Sequence, residues 1–185
     1  NQKKYLNALN IILYQNYGSF RKLLQFFKSP EKVWFDASIT VLEQIGLKPQ
    51  TVKKFFEMKK CIDVEQEFEK TLALKIEILS TDELTFLLKE IYDPPVILYA
   101  QGSLDTLNNQ CLSIVGTRNI SVYGKEICKN WINEFIAKNL TLVSGYAYGV
   151  DFEVHKAVIE NSGHTIAVLA GGLNKKYPNY PRKFE

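Results

Sequence analysis

The stretch Ser113-Ile-Val-Gly-Thr-Arg-Asn-Ile-Ser-Val-Tyr-Gly124 carries most of the information about the fold, because an apolar run stops at a glycine shortly before a helical pattern begins. Residues 112–115 have the continuous apolar character of a strand buried on both faces. Ser121 is placed as a helix N-cap, so free N–H groups at the helix start, with Arg118 beside them, favour phosphate. Alternatively, Gly116 makes only the strand-to-helix turn and Arg118 is a solvated surface residue. The loop alone leaves both interpretations open.

Two later strands also end in small residues. Residues 140–143 precede Ser144-Gly-Tyr-Ala-Tyr-Gly-Val-Asp151, and residues 165–169 run into Ala170-Gly-Gly172. Strands that alternate with helices predict a parallel sheet whose strands all end at one edge, here called the carboxyl edge. Ligands of open α/β sheets bind there. Because the glycine spacing fits neither G-x-G-x-x-G nor a P-loop, we predict an anion site without a nucleotide pocket.

These blocks, in this order, closely resemble the DNA-processing protein family called DprA or Smf. The resemblance also includes Gly163-His-Thr-Ile-Ala-Val-Leu-Ala-Gly-Gly-Leu-Asn174 and Tyr177-Pro178. It implies an α/β fold with a Rossmann-like parallel sheet of the extended type. It further implies a protein of the bacterial cytoplasm that binds single-stranded DNA, protects incoming DNA and loads the RecA recombinase in natural transformation, usually as a homodimer. It implies no catalytic reaction, no cofactor and no metal.

The resemblance also implies which residues contact DNA along the carboxyl edge. Arg118 matches the arginine of the family's Gly-Ser/Thr-Arg element, whereas Tyr148 stands where the family places a second arginine. Tyr148 offers a ring face for an unstacked base in place of that cation. The complete set of implied DNA or phosphate contacts is Gly116, Thr117, Arg118, Ser121, Ser144, Gly145, Tyr148, Gly149, Gly171, Gly172, Lys175, Lys176, Tyr177, Arg182 and Lys183, with Tyr180 as a further stacking face. Asp151 and His155 are expected to shape the glycine-rich turn and not to catalyse, since no Gly-x-Ser-x-Gly nucleophile elbow is present.

Two domains are expected, with a boundary near residue 66. Residues 1–66 carry 11 Lys or Arg against 4 Asp or Glu in their first 60 positions, and their apolar spacing predicts a small all-α domain similar to SAM-like or helix-hairpin-helix modules. Within it, Gln44-Ile-Gly-Leu-Lys48 resembles a phosphate-binding hairpin; the favoured alternative is that Gly46 ends a helix in a left-handed conformation. Residues 67–185 form the first part of the Rossmann-like domain. Family members continue with further strands, so the resemblance implies a sheet incomplete at its C-terminal end.

Composition excludes several other classes of protein. No run approaches ~18 uninterrupted apolar residues, and the first segment lacks a secretory signal, so no membrane association is predicted. The three cysteines, Cys61, Cys111 and Cys128, form no C-x-x-C pair, which predicts reduced, buried thiols and no zinc site. Two other functions stay open. One is a nucleotide phosphoribohydrolase similar to the lysine-decarboxylase-like enzymes, although their Pro-Gly-Gly-x-Gly-Thr-x-x-Glu signature is missing; the other is a partner-binding scaffold with reduced DNA affinity.

Overall fold

The chain folds into two compact units, one ending at Gln101 and the other beginning at Gly102. A computed structural model describes residues 2–175, 178 and 179. The helices and strands, in chain order, are α1 Gln2–Leu13, α2 Tyr17–Phe27, α3 Pro30–Asp36, α4 Ile39–Gln44, α5 Pro49–Cys61, α6 Val64–Ala73, β1 Glu77–Ser80, α7 Phe86–Lys89, β2 Ile97–Ala100, β3 Cys111–Ser113, α8 Val122–Ala137, β4 Thr141–Ser144, α9 Val150–Glu160 and β5 Thr165–Ala167. Short 3-10 turns follow β1 and precede β3.

The first unit is built around α1, which packs against α3, α5 and α6. Local chemistry explains where three of its helices begin: Ser29 and Ser38 accept hydrogen bonds from the third helical N–H, and Pro30 and Pro49 occupy the first helical position. The buried apolar side chains of this unit include Leu9, Ile12, Phe20, Leu23, Val33, Leu42, Val52 and Phe55. The described residues up to 66 are therefore predominantly helical, as expected.

Strands β1 and β2 form a two-stranded antiparallel sheet in the first unit, with Ile78 opposite Tyr99. The Tyr99 hydroxyl donates to Asn7 Oδ1 over 2.6 Å and accepts from Asn10 Nδ2 over 3.1 Å, so the sheet is joined to α1. Burial raises the pKa of Tyr99 to about 12, which keeps this hydroxyl protonated. The boundary between compact units consequently lies after Gln101, later in the chain than the predicted boundary at residue 66.

The second unit contains a parallel three-stranded sheet in the order β3, β4, β5, with α8 and α9 packed together as the crossover helices. Its core consists of Ile132, Leu142, Val154 and Val158. The prediction that residues 112–115 are buried on both faces is wrong: Val115 is 72% exposed. The reason is that the crossover helices cover one face: Leu112 and Ile114 pack against the core formed with α8 and α9, whereas Cys111, Ser113 and Val115, on the other face, are exposed.

Candidate functional site

The β3–α8 loop (residues 114–121) and the β4–α9 loop (residues 145–149) lie against each other at the carboxyl edge. The Val150 N–H donates to the Thr117 carbonyl oxygen over 3.1 Å. Gly149 has a φ of +83°, and a Cβ built on it would lie 2.1 Å from the same oxygen. Any side chain at this position would separate the loops or distort the backbone, so the close contact depends on glycine.

Two other glycines allow the same close packing. A Cβ at Gly116 would lie 2.6 Å from Val150 Cγ2, and one at Gly145 would lie 2.7 Å from Asp151 Oδ2. Asp151 Oδ2, in the first turn of α9, also accepts the N–H of Ala147 in the β4–α9 loop over 3.3 Å, and Asp151 is buried. These residues fix the shape of the edge, and any role of the two glycines toward a ligand would come from the backbone.

The start of α8 is capped as predicted from the sequence. Ser121 Oγ accepts the Gly124 N–H over 3.1 Å, and Thr117 Oγ1 accepts the Asn119 N–H over 3.1 Å in the preceding loop. The first turn of α8 contains no acidic residue, so nothing there offsets the positive end of the helix dipole. This helix start is electrostatically suited to an anion.

Arg118 is exposed in the β3–α8 loop, and among residues 2–175, 178 and 179 it forms no ion pair. Lys175, also predicted as a phosphate contact, is exposed in the loop after β5, and its own N–H donates to the Gly172 carbonyl oxygen over 3.1 Å. By contrast, Lys125 on α8 pairs with Glu153 on α9 at 3.7 Å. Arg118 and Lys175 are therefore the cations of the predicted set that the described structure leaves available to an anion.

Ser144 has a structural partner. Its hydroxyl is buried and donates to the Ile114 carbonyl oxygen over 2.7 Å, which joins the ends of β4 and β3. Of the predicted site residues, Ser144 thus holds the carboxyl edge together from within. The side chain of Tyr148, four residues later, is 50% exposed in the β4–α9 loop.

A buried hydrogen-bonded chain lies below the β4–α9 loop. His155 is 3% exposed, and its Nδ1 lies 2.8 Å from Thr165 Oγ1, which in turn donates to the Leu142 carbonyl oxygen over 2.8 Å. Burial lowers the pKa of His155, and this effect is opposed by the nearby Asp151 carboxylate and the Ser144 carbonyl. The sequence predicted that His155 supports the β4–α9 loop. It did not reveal Thr165, because no sequence pattern indicates that Thr165 contacts His155.

The loop after β5 starts at the same edge. The Val168 N–H donates to the Ser144 carbonyl oxygen over 2.9 Å, and Leu169 packs against Tyr146 of the β4–α9 loop. Gly171 and Gly172 follow and are exposed. The predicted contacts Lys176, Tyr177, Tyr180, Arg182 and Lys183 lie outside the described residues, so their roles remain predictions.

The hairpin-like segment of the first unit follows the favoured alternative. Gly46 has a φ of +82°, its N–H donates to the Glu43 carbonyl oxygen, and the Leu47 N–H donates to the Leu42 carbonyl oxygen. These two N–H groups close the end of α4 and cannot also bind a phosphate. The lysines after it, Lys48, Lys53 and Lys54, are exposed.

The cysteines are free, but the prediction of buried thiols is wrong: Cys61 and Cys111 are exposed, and Cys128 is half-buried. Cys111 is exposed because it lies on the face of β3 opposite to Leu112, which packs against the core of the second unit. In the described part of the chain, no three His, Cys, Asp or Glu residues are grouped so that they could hold a metal ion. None of the described helices has the length and apolar character needed to cross a membrane.

Comparisons of sequence identify the relatives of this chain. The family model for DNA recombination-mediator protein A matches residues 75–184. DNA processing protein DprA from Bacillus subtilis is 42% identical over 101 residues, which cover 54% of this chain and 34% of that protein. Protein Smf from Borreliella burgdorferi is 30% identical over 172 residues, which cover 87% of this chain and 54% of that protein. The chain thus matches between a third and about half of the length of these relatives.

Comparisons of structure agree with this result. The X-ray structure of DprA from Streptococcus pneumoniae aligns with a TM-score of 0.72 and 28% identity, over 95% of this chain and 59% of that one. A structure of DNA processing protein A from Helicobacter pylori, described for its single-stranded DNA binding mode, aligns with a TM-score of 0.51 and 25% identity, over 57% of this chain and 47% of that one. The predicted α/β fold, a Rossmann-like sheet preceded by a helical region, is confirmed. The chain belongs to the DNA recombination-mediator protein A family, whose members carry the names DprA and Smf.

Proposed function

We propose that this chain binds single-stranded DNA along the carboxyl edge of its parallel sheet. The observation that carries the proposal is the contact between the β3–α8 and β4–α9 loops. In this contact the Thr117 carbonyl oxygen packs against Gly149, which has no Cβ, and accepts the Val150 N–H. This contact holds the backbone next to Arg118 in place while the Arg118 side chain stays exposed. A cation presented from a fixed loop suits the regularly spaced phosphates of a nucleic acid.

The two helix starts at this edge differ in their suitability for phosphate. The first turn of α8 has no acidic residue, whereas α9 carries Asp151 and Glu153 in its first turn. Asp151 is buried against the Ala147 N–H, and Glu153 pairs with Lys125, so both acids already have partners. We infer that the principal phosphate lies at the start of α8 and contacts Arg118.

The bases would be held without being identified. Tyr148 is 50% exposed and directly precedes Gly149, whose Cα packs against the Arg118 backbone, and a ring face can stack on any unpaired base. Contacts to phosphates and ring faces carry no sequence information, so binding should tolerate any sequence. The Helicobacter pylori relative, whose structure is described for its single-stranded DNA binding mode, supports this choice of ligand.

The finer assignments are part of the same proposal. We propose that the protein acts in the cytoplasm by protecting incoming DNA and loading RecA, that it works as a homodimer, and that its role is to bind and not to catalyse. The support for the RecA step is membership of a family described as recombination mediators.

Fluorescence anisotropy with matched labelled oligonucleotides, single-stranded and duplex, tests the proposal across a salt series. We expect tighter binding of the single strand at every salt concentration, because stacking needs unpaired bases. Equal or tighter duplex binding at physiological salt would reject it. A parallel assay of nucleoside monophosphate hydrolysis covers the enzymatic alternative: release of free base would favour a phosphoribohydrolase.

A further inference from the structure

The β4–α9 loop holds an unusual backbone conformation whose support is buried below it. Tyr146 has a φ of +57°, a left-handed conformation that is uncommon for a bulky aromatic residue. Its ring packs on the His155 ring, with centroids 5.9 Å apart and planes inclined by 51°. The position of the His155 ring therefore bears directly on the conformation of this loop.

The Thr165 hydroxyl lies between the Leu142 carbonyl oxygen and the His155 ring, at 2.8 Å from each. A threonine hydroxyl has a single hydrogen, and we assign it to the bond with the Leu142 carbonyl oxygen, which belongs to the partner residue of Thr165 in the β4–β5 ladder. Toward His155, Oγ1 then accepts, and we assign a hydrogen to His155 Nδ1. In the neutral ring, Nε2 then has none, and among the described residues it is buried without a hydrogen-bond partner.

We propose that Thr165 is a positioning residue for DNA binding, whose hydroxyl fixes His155 in the Nδ1–H tautomer. The ring held in this way supports the β4–α9 loop, which carries Tyr148 and packs at Gly149 against the Thr117 carbonyl oxygen. This inference rests on the proposed function. An unbroken series of contacts runs from the Leu142 carbonyl group through the Thr165 hydroxyl and the His155 ring to the Tyr146 ring. The β4–α9 loop, which contains Tyr146, ends at Gly149 against the β3–α8 loop.

The surroundings of the ring agree with a neutral, positioned histidine. Two titratable groups near His155 are Asp151 on its own helix and Tyr146 in the loop, and β4 and β5 contribute the neutral groups of Leu142, Ser144 and Thr165. Burial lowers the pKa of His155 despite the Asp151 charge, which keeps the ring neutral near pH 7.

The experiment compares Thr165→Val with Thr165→Ser in the whole chain. Valine keeps the shape of the side chain but loses the hydroxyl, whereas serine keeps the hydroxyl. Nitrogen-15 NMR of the imidazole ring reads the tautomer directly, and the second histidine of the chain, the exposed His164, is assigned by its loss in His164→Gln. We expect the Nδ1–H form in the wild type and in Thr165→Ser, and a shift toward the Nε2–H form in Thr165→Val. An Nε2–H form in the wild type would overturn the proposal, even if Thr165→Val failed to fold.

Two further measurements separate this inference from the proposed function. Amide hydrogen exchange without DNA should accelerate in Thr165→Val at Ala147 and Val150, whose N–H groups bond within and across the two loops. Affinity for single-stranded DNA should fall about two- to tenfold in Thr165→Val and recover in Thr165→Ser. Unchanged exchange at both amides in Thr165→Val would overturn the positioning role. If tautomer and exchange respond as expected but the wild type does not bind DNA, the proposed function fails while the structural support of the loop by Thr165 stands.

Discussion

The contact between Gly149 and Thr117 can be tested by adding one methyl group, in Gly149→Ala. The new Cβ would lie 2.1 Å from the Thr117 carbonyl oxygen and 2.6 Å from Arg118 Cα, and the φ of +83° disfavours any side chain. Backbone strain of this kind costs about 1–3 kcal/mol. Separating the loops also breaks the bond from the Val150 N–H to Thr117, worth about 0.5–1.5 kcal/mol. We therefore expect the free energy of unfolding to fall by about 1.5–4.5 kcal/mol.

Urea unfolding measures this loss, and the anisotropy assay measures its effect on single-stranded DNA binding, which should weaken because Arg118 is displaced. Gly18→Ala, in α2 of the first unit, is the control: a Cβ there would meet no atom within 4 Å, and Gly18 has no positive φ. It should lower neither the free energy of unfolding nor the affinity for single-stranded DNA. If Gly149→Ala is as stable as the wild type and binds DNA equally well, the loops do not depend on this contact and our account of the site is wrong.

Three other substitutions test the site. Arg118→Ala should weaken binding of all sequences alike and reduce the slope of log K against log salt by about 0.7. Lys138→Ala, at the far end of α8, should change neither the affinity nor the slope. Equal slopes for the wild type and Arg118→Ala would show that Arg118 does not contact a phosphate. If Tyr148 stacks on a base, Tyr148→Ala should weaken the free energy of DNA binding by about 1–3 kcal/mol. Tyr148→Arg should strengthen binding and steepen its salt dependence only if a phosphate passes this position. If neither change affects binding, Tyr148 lies outside the DNA path. The pKa of His155 is lower in the folded protein than its unfolded value of about 6.5, so the neutral ring stabilises the fold above that pH. This stabilisation is lost as the pH falls from about 6.5 through the folded pKa, by up to about 1.4 kcal/mol per pH unit. His155→Gln should flatten this part of the curve of unfolding free energy against pH, and His164→Gln should not.

The sequence predicted the parallel arrangement of the second unit because each strand there ends in small residues before a helix or loop. Ser121 was predicted as the N-cap of α8 because helix capping depends on residues close in sequence. The exposed face of β3 was not predicted. An apolar run looks the same whether one face of a strand or both are covered, and the difference lies in where the helices α8 and α9 pack.

Contacts between distant residues account for what the sequence did not reveal. The link from Tyr99 to Asn7 and Asn10 places β1 and β2 in the first unit, yet these residues lie about 90 positions apart. Thr165 was likewise missed because its role depends on meeting His155 from another element. Neither Tyr99 within β2 nor Thr165 at the start of β5 carries a local sequence signal that predicts its hydrogen-bond partner.

Photocrosslinking of a thymine oligonucleotide, followed by mass spectrometry of the crosslinked peptides, locates the DNA on the protein. Our account predicts crosslinks in the β3–α8 and β4–α9 loops, at or beside Arg118 and Tyr148, and their loss in Gly149→Ala under conditions where the variant remains folded. Crosslinks confined to the exposed lysines of α5 in the first unit, with none at the carboxyl edge, would contradict it.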